Sequence, residues 1–387
     1  MSSDGPSPKH AMKRILYILH CYNNRGGTEE HTKTLAAGLD GSYETAILYP
    51  ENGELHLRRT RTGATESFPA ETVPFPVTPY RVASVDSALQ QALRKFRPDI
   101  IHIQHFIYWP LSLIADIGAL GVPVVLSFHD YYLLSPNFTL LFAERPEDSW
   151  EEQHVIRLYG ANISEYILER RDVLQRDIVR IKNRIVPSLY LQKFLSIICG
   201  LSSQVIPHGI VPFPAPAPRP RDGFIRFGCV SSLLPQKGWR VLLDAFALVH
   251  ERHRHTELHF FGGGEQPPAV APPGVTFHGK YDVTDLSGIC GQFDVGVIPS
   301  IFRENYSLEL SELWHARKPV VASRIGALAE RIQDGINGRL ADPASPESMA
   351  EALESFVTTD DWRAWQLPQV RLVDEMLDAY RTYYSAL

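Results

Sequence analysis

The chain has 387 residues, of which 44% are apolar and 21% charged, and a net charge of -6. That length allows two globular domains, and the acidic balance argues against a general nucleic-acid binder. Cys21, Cys199, Cys229 and Cys290 lie too far apart for a metal or disulfide framework, so a reducing, cytoplasmic setting is expected.

The start, MSSDGPSPKHAMK, carries no apolar core, so no leader peptide is expected there. No stretch approaches the roughly 20 apolar residues of a membrane span, and any membrane contact would be peripheral. RILYILH (14–20) reads as a buried strand. TEEHTKTLAAGL (28–39) reads as a helix with Thr28 as N-cap and acidic residues at its positive end. YETAILY, DIIHIQH and PVVLSFH follow as strands, and RIVPS and SQVIPHGI close this half. Residues 163–185 read as a long charged amphipathic helix. Its Arg170, Arg171, Arg176, Arg180, Lys182 and Arg184 are candidates for an anionic membrane surface, although the interleaved acids favour a solvated face.

Strands alternating with helices imply a parallel sheet. The segment 211–223, VPFPAPAPRPRDG, is too proline-rich for a sheet interior and reads as a hinge. The rhythm then restarts with IRFGCVS, LHFFGGG, VTFHG, FDVGVIPS and PVVAS as strands, and with helices at 238–253 and 345–357. The expected organisation is a first doubly wound domain over 1–210, the hinge over 211–223 and a second such domain over 224–365. Residues 366–387 should form a helix that packs back on the first domain. Ligands of such sheets bind beyond the carboxyl ends of the strands, so a cleft between the domains is the expected site.

Several strand ends carry residues suited to that place. In NNRGGTEEH, Gly26 and Gly27 permit close backbone approach at a helix start, which suits a phosphate or a sugar ring. VSSLLPQKGW puts Lys237 beside a second helix start, with Ser231 and Ser232 before it. SFHD places His129 at a strand end, and His102 and His105 cluster on another. ENYSLELSELWHARKPVVAS (304–323) sets three carboxylates among apolar neighbours. Glu304 precedes a helix whose first free N–H groups come from Tyr306, Ser307 and Leu308, and Glu312 lies two turns further in. Carboxylates there can accept hydrogen bonds from vicinal hydroxyls. Glu309 reads as an ordinary helix residue on another face.

From Arg14 to about Asp342 the sequence resembles a retaining glycosyltransferase of family 4, the glycosyl transferases group 1, with the GT-B fold. The resemblance is carried by E-x(7)-E from Glu304 to Glu312 followed by PVVAS. It is carried also by the GGTE turn, VLSFHD, VPS, IPHGI, LPQKGWRVLLDAF, FDVGVIPS and RIQDGINGRL, in order and spacing. It implies an α/β GT-B architecture, two Rossmann-like doubly wound domains facing a central cleft. It implies transfer of a sugar from a nucleoside-diphosphate sugar to a hydroxyl acceptor with retained anomeric configuration, in bacterial polysaccharide or glycoconjugate synthesis. No metal and no cofactor beyond the nucleotide sugar are expected. By the same resemblance Glu312 would bind the ribose, Glu304 the donor sugar, and the amides of Tyr306 to Leu308 the diphosphate and sugar. Lys237 would neutralise the leaving diphosphate, Gly27 would approach it from the first domain, and His129 would sit beside the donor sugar.

The sequence departs from the family where Ser231 and Ser232 stand for Gly-Arg, Ser307 for a glycine, and Arg317 for the glycine ahead of the last strand. Arg303 or Arg324 is the candidate to replace the missing cation. Acceptor contacts fall to 129–171, where Tyr131, Tyr132 and Tyr159, with Trp109, could stack on sugar rings and His102 and His105 line the strand end. The acceptor would be a glycan, a lipid-linked glycan or a small hydroxyl compound. The competing readings are a nucleotide-sugar-binding protein without transfer activity and another GT-B enzyme such as a sugar-nucleotide epimerase.

Overall fold

Short runs of Ile, Val, Leu and Phe bounded by Gly, Pro or Asp form the strands, as their branched and aromatic side chains favour. The computed structural model describes residues 12–24, 26–139, 159–160, 163–217, 219 and 221–387. The first eleven residues, on which most of the leader reading rests, and 140–158 of the acceptor segment lie outside them.

The strands are β1 (Arg14–Ile18), β2 (Glu44–Glu51), β3 (Glu54–Arg59), β4 (Thr65–Pro69), β5 (Ile100–Ile103), β6 (Val124–Ser127), β7 (Asn183–Val186) and β8 (Gln204–Val205). They are followed by β9 (Ile225–Val230), β10 (Thr256–Phe261), β11 (Val275–Gly279), β12 (Val295–Ile298), β13 (Val320–Ser323) and β14 (Arg339–Ala341). The first sheet runs β4-β3-β2-β1-β5-β6-β7-β8 and the second β11-β10-β9-β12-β13-β14.

One compact unit holds the described residues up to His129, those from 163 to Ile185, and Leu377–Leu387. Here β1 pairs in parallel with β2 and β5, and β5 with β6. The edge departs from the parallel expectation, because β2, β3 and β4 are antiparallel. Asn52 and Gly53, at φ 52° and 78°, close the β2–β3 hairpin between paired Glu51 and Glu54. Asn-Gly is the pair that such two-residue turns favour, a signal that the parallel reading passed over. The charged helix is shorter than expected, Ile163–Ile178, because the chain returns to the sheet as β7. Arg170 and Arg184 are buried, and Arg176 pairs with Asp177 at 2.9 Å, so those arginines form no open basic face. The end of the C-terminal helix Val373–Ser385 lies in this unit, with Tyr380 and Tyr384 buried against His31 and His102.

The second unit holds the remaining described residues, from Asp130 to Met376. Its six-stranded sheet is parallel throughout. Trp239, Leu242, Ala245, Phe246 and Val249 recur at helical spacing along Trp239–Arg252 and bury that face against Phe227, Leu258 and Phe260. Leu310, Leu313 and Trp314 of Leu308–His315 cover the opposite face with Val230, Phe261 and Ile298. Full burial of one such side chain is worth about 1.5–3 kcal/mol. The proline-rich segment is pinned to this unit: His315 Nε2 lies 3.0 Å from the Phe213 carbonyl, and Arg219 donates to the Gln292 carbonyl at 2.6 Å. Among the described residues no helix is long and apolar enough to cross a membrane.

Candidate active site

Because β9, β12 and β13 are parallel, the loops that leave them emerge at one end of the sheet. Gly238 (φ 69°) lets the turn after β9 lie on the loop after β12; a Cβ there would stand 1.9 Å from the Pro299 carbonyl oxygen. Gly262 (φ 154°) lies equally close to the Ser231 carbonyl. Glycine is required where backbones meet at that distance. Ile301 N–H donates to the Gln236 carbonyl at 2.9 Å and locks the two loops.

Glu304 sits in that lock, 5% exposed. Its Oε1 accepts from Lys237 Nζ at 2.8 Å and from Ser300 Oγ at 2.7 Å. Burial pulls the Lys237 ammonium down, but the Glu304 and Glu309 carboxylates outweigh it and hold its pKa above the usual lysine value. A buried charge is tolerable only when partnered in this way.

Ser307 adopts φ 65°, a left-handed geometry that costs a side-chain-bearing residue about 1–2 kcal/mol. It is the N-cap of the helix Leu308–His315, and its Oγ accepts from Leu310 N–H at 3.3 Å. Arg331 braces this turn. It donates to the carbonyls of Tyr306 and Ser307 at 2.7 and 2.9 Å and to Ser311 Oγ at 2.7 Å, and its guanidinium lies 4.2 Å from the Tyr306 ring centroid. Tyr306 in turn donates its hydroxyl to the His208 carbonyl at 2.8 Å. Sequence reasoning gave Arg331 no role, although it begins the RIQDGINGRL stretch.

Glu309 is not an ordinary helix residue. It stands three positions before Glu312, so the two share a face. Burial pushes the Glu309 carboxyl up to about 8 and Glu312 up to about 7. Glu309 Oε1 is buried with no hydrogen-bond partner. Burial, Glu312 and Glu309 also push the Tyr281 phenol up. Glu304 and Glu309 thus both act on Lys237, and Glu312 and Ser231 lie beside Glu309. The arrangement can take vicinal hydroxyls on the acids and a negative group on the lysine and the helix start.

The other expected residues fall differently. Arg324 lies on the surface near Asp334 and Asp342, at 3.6 and 3.9 Å. Arg303 Nη1 reaches the Tyr190 hydroxyl at 3.5 Å. Arg317 does adopt the left-handed geometry, φ 59°. It lines a cavity of about 600 Å³ with Arg219, Lys318, Trp362 and Trp365, at the opposite ends of these strands.

In the first unit Gly26 is the N-cap of Gly27–Leu39, in place of Thr28. The Glu29 carboxylate folds back over it, so that a Cβ on Gly26 would lie 2.4 Å from Glu29 Oε2. Burial would raise the Glu29 carboxyl, but its contact with His20 at 3.4 Å holds it low. His129 Nε2 donates to Gln104 Oε1 at 2.7 Å, and its ring lies 5.0 Å from His31, whose imidazole burial pushes down to about 4. His102 is fully buried, bonded to Ser127 Oγ at 2.8 Å and to Tyr384. Trp109 is also fully buried and donates to the Leu19 carbonyl at 2.9 Å. His105 is 4% exposed, and its ring lies 4.5 Å from His20. Tyr131 and Tyr132, in the second unit, are 1% exposed each. In this structure none of these five presents an open face to a sugar, because each ring is packed into the interior. Among the described residues no group of three or more His, Cys, Asp and Glu is arranged to hold a metal.

Two family models match the chain: "Glycosyltransferase Family 4" over residues 25–212 and "Glycosyl transferases group 1" over residues 225–359. A phosphatidyl-myo-inositol mannosyltransferase of Mycolicibacterium smegmatis is 25% identical over 355 residues, 88% of this chain and 83% of that protein. A D-inositol 3-phosphate glycosyltransferase of Corynebacterium glutamicum is 26% identical over 40% of this chain and 38% of that protein. For it and two further relatives the match spans only 31–38% of their own length. Among solved structures, a sucrose-phosphate synthase from Thermosynechococcus elongatus superposes with a TM-score of 0.66 at 15% identity, covering 97% of this chain and all of that one. Anabaena HepE in complex with UDP and glucose does so at 0.62 and 16%, with the same coverage. At that identity the likeness concerns the fold.

Proposed function

Because the chain belongs to the family 4, group 1 glycosyltransferases, we propose that it moves a glycosyl group from a nucleoside-diphosphate sugar to a hydroxyl acceptor and retains the anomeric configuration. The observation that carries this reading is the buried Lys237–Glu304 pair, 2.8 Å apart and flanked by Glu309 and Glu312 at the carboxyl ends of parallel strands. As the glycosidic bond breaks, negative charge builds on the diphosphate and positive charge on the anomeric carbon. Preformed groups aimed at developing charge supply the largest share of many rate enhancements. Lys237 and the N–H groups at the start of Leu308–His315 would meet the diphosphate, and this needs no metal. Glu304 would hold the donor sugar and Glu312 the ribose hydroxyls. No side chain here is assigned as an inverting base, and in a front-side displacement the departing phosphate oxygen itself would take the acceptor's proton.

The acceptor follows less directly. Two of the relatives carry names in which inositol-bearing compounds are glycosylated. A polyol, a lipid-linked acceptor or a growing bacterial glycan are therefore the classes to test. Purified protein is incubated with a panel of UDP- and GDP-sugars, with and without these acceptors. An α-glycoside from an α-linked donor, read from its anomeric proton coupling for gluco- or galacto-configured sugars, supports the reading, and a β-linked product overturns retention. Donor binding without transfer or hydrolysis would favour a binding protein, and a changed donor with no new glycoside an epimerase.

A further inference from the structure

With Ser231 and Ser232 in place of glycine and arginine, the turn after β9 carries no guanidinium, and Glu309 stands beside it. Glu309 is the second residue of Leu308–His315. The Ser231 side chain lies against its carboxyl, while its Oε1 is buried with no hydrogen-bond partner. The groups that act on it come from every side: Lys237 from the turn after β9, Cys229 from β9, Glu304 from the loop after β12, Glu312 from its own helix, and Tyr281 from the segment after β11. Lys237 is the one cation among these, and it is already bonded to Glu304. An ionised carboxylate with an empty buried oxygen is costly, whereas a neutral carboxyl has a proton to give.

We propose that Glu309 enters the donor complex as a neutral carboxylic acid whose O–H donates a hydrogen bond to a diphosphate oxygen, in the place of the missing arginine. This rests on the reading of the site as a nucleotide-sugar site. Burial already pushes the Glu309 carboxyl up to about 8, so the acid form prevails at neutral pH. A bound diphosphate pushes it further, because like charges nearby favour the neutral form. No proton changes hands at neutral pH. Above pH 8, binding must draw one proton from solvent onto Glu309.

UDP and GDP are titrated calorimetrically into the full chain from pH 7 to 9.5, in two buffers of different ionisation enthalpy. Burial pushes Cys229 and Tyr281 above most of this window. For the nucleotide that binds, affinity is expected to fall about tenfold from pH 7 to pH 9, with uptake approaching one proton at the upper end. Glu309→Gln, close in shape and a donor at every pH, should lose both the fall and the uptake. Glu309→Ala should lose them too and bind about tenfold more weakly than Glu309→Gln, the difference one charge-assisted hydrogen bond makes. Melting curves establish that each variant is folded. Binding without proton uptake, or a wild-type pH profile in Glu309→Gln, overturns the inference and leaves the proposed function standing. Binding of neither nucleotide to the wild type overturns both.

Discussion

Gly326 lies against the backbone of Glu304 so closely that a Cβ on it would stand 2.4 Å from the Glu304 carbonyl oxygen and 2.7 Å from its nitrogen. The next residue, Ala327, donates its N–H to that carbonyl at 2.7 Å. The turn after β13 therefore sets the position of a site carboxylate in the loop after β12. Gly326→Ala should displace that loop, at about 1–3 kcal/mol for overpacking plus about 1–2 for φ 57°. Donor turnover should fall more than tenfold. Gly200→Ala, also at positive φ but meeting nothing within 4 Å, is the control and should keep wild-type kinetics. Equal kinetics in the two variants would show that Gly326 does not position Glu304.

Lys237→Met should lower the turnover rate more than donor affinity, since its charge matters most as the diphosphate leaves. It should also destabilise the protein by about 3–5 kcal/mol, because Glu304 is left buried with Ser300 alone. Lys237→Met with Glu304→Gln should regain stability without regaining activity. Turnover restored in the double variant would remove the pair from the chemistry.

Without ligand, stability should fall as pH rises from about 4.5 to about 8. Glu309 and Glu312 have folded pKa values raised to about 8 and about 7. Between the unfolded and folded values the native state binds more protons, so raising pH favours unfolding. Each group contributes up to about 1.4 kcal/mol per pH unit across its window. Lys237, raised above its unfolded value, contributes stability that is complete below that value and is lost only at higher pH. Urea midpoints from pH 5 to 9 should show the decline, and Glu309→Gln with Glu312→Gln should flatten it. A midpoint that rises over this range contradicts the burial of these acids.

Arg331→Ala removes donors from the Tyr306 and Ser307 carbonyls together. Hydrogen bonds from a charged group are worth about 1.5–3 kcal/mol, so a loss of about 2–4 kcal/mol is expected. Arg331→Lys should recover less than half, because one ammonium cannot reproduce the planar fork or its stacking on Tyr306. Full recovery by lysine would show that charge alone holds the turn.

The strand RILYI, the amphipathic helix at 239–252 and the Glu304–Glu312 spacing were legible in the sequence. Each depends on a residue's chain neighbours, because periodicity sets which face is apolar. The same kind of reading fails for Glu309, Tyr131 and Trp109. Their residue types suggest a helix surface and an open sugar platform. Packing places Glu309 among other acids and seals the two rings inside. It also gives the missing arginine's neighbourhood a carboxyl and assigns Arg331 to a turn 24 and 25 residues away. Sequence by itself determined the family, the parallel α/β rhythm and most of the candidate site. Tertiary structure alone decided which carboxyls are withdrawn from water, which are paired and which have their pKa raised. Those depend on desolvation and on charges that distant parts of the chain bring together, and no local pattern encodes them.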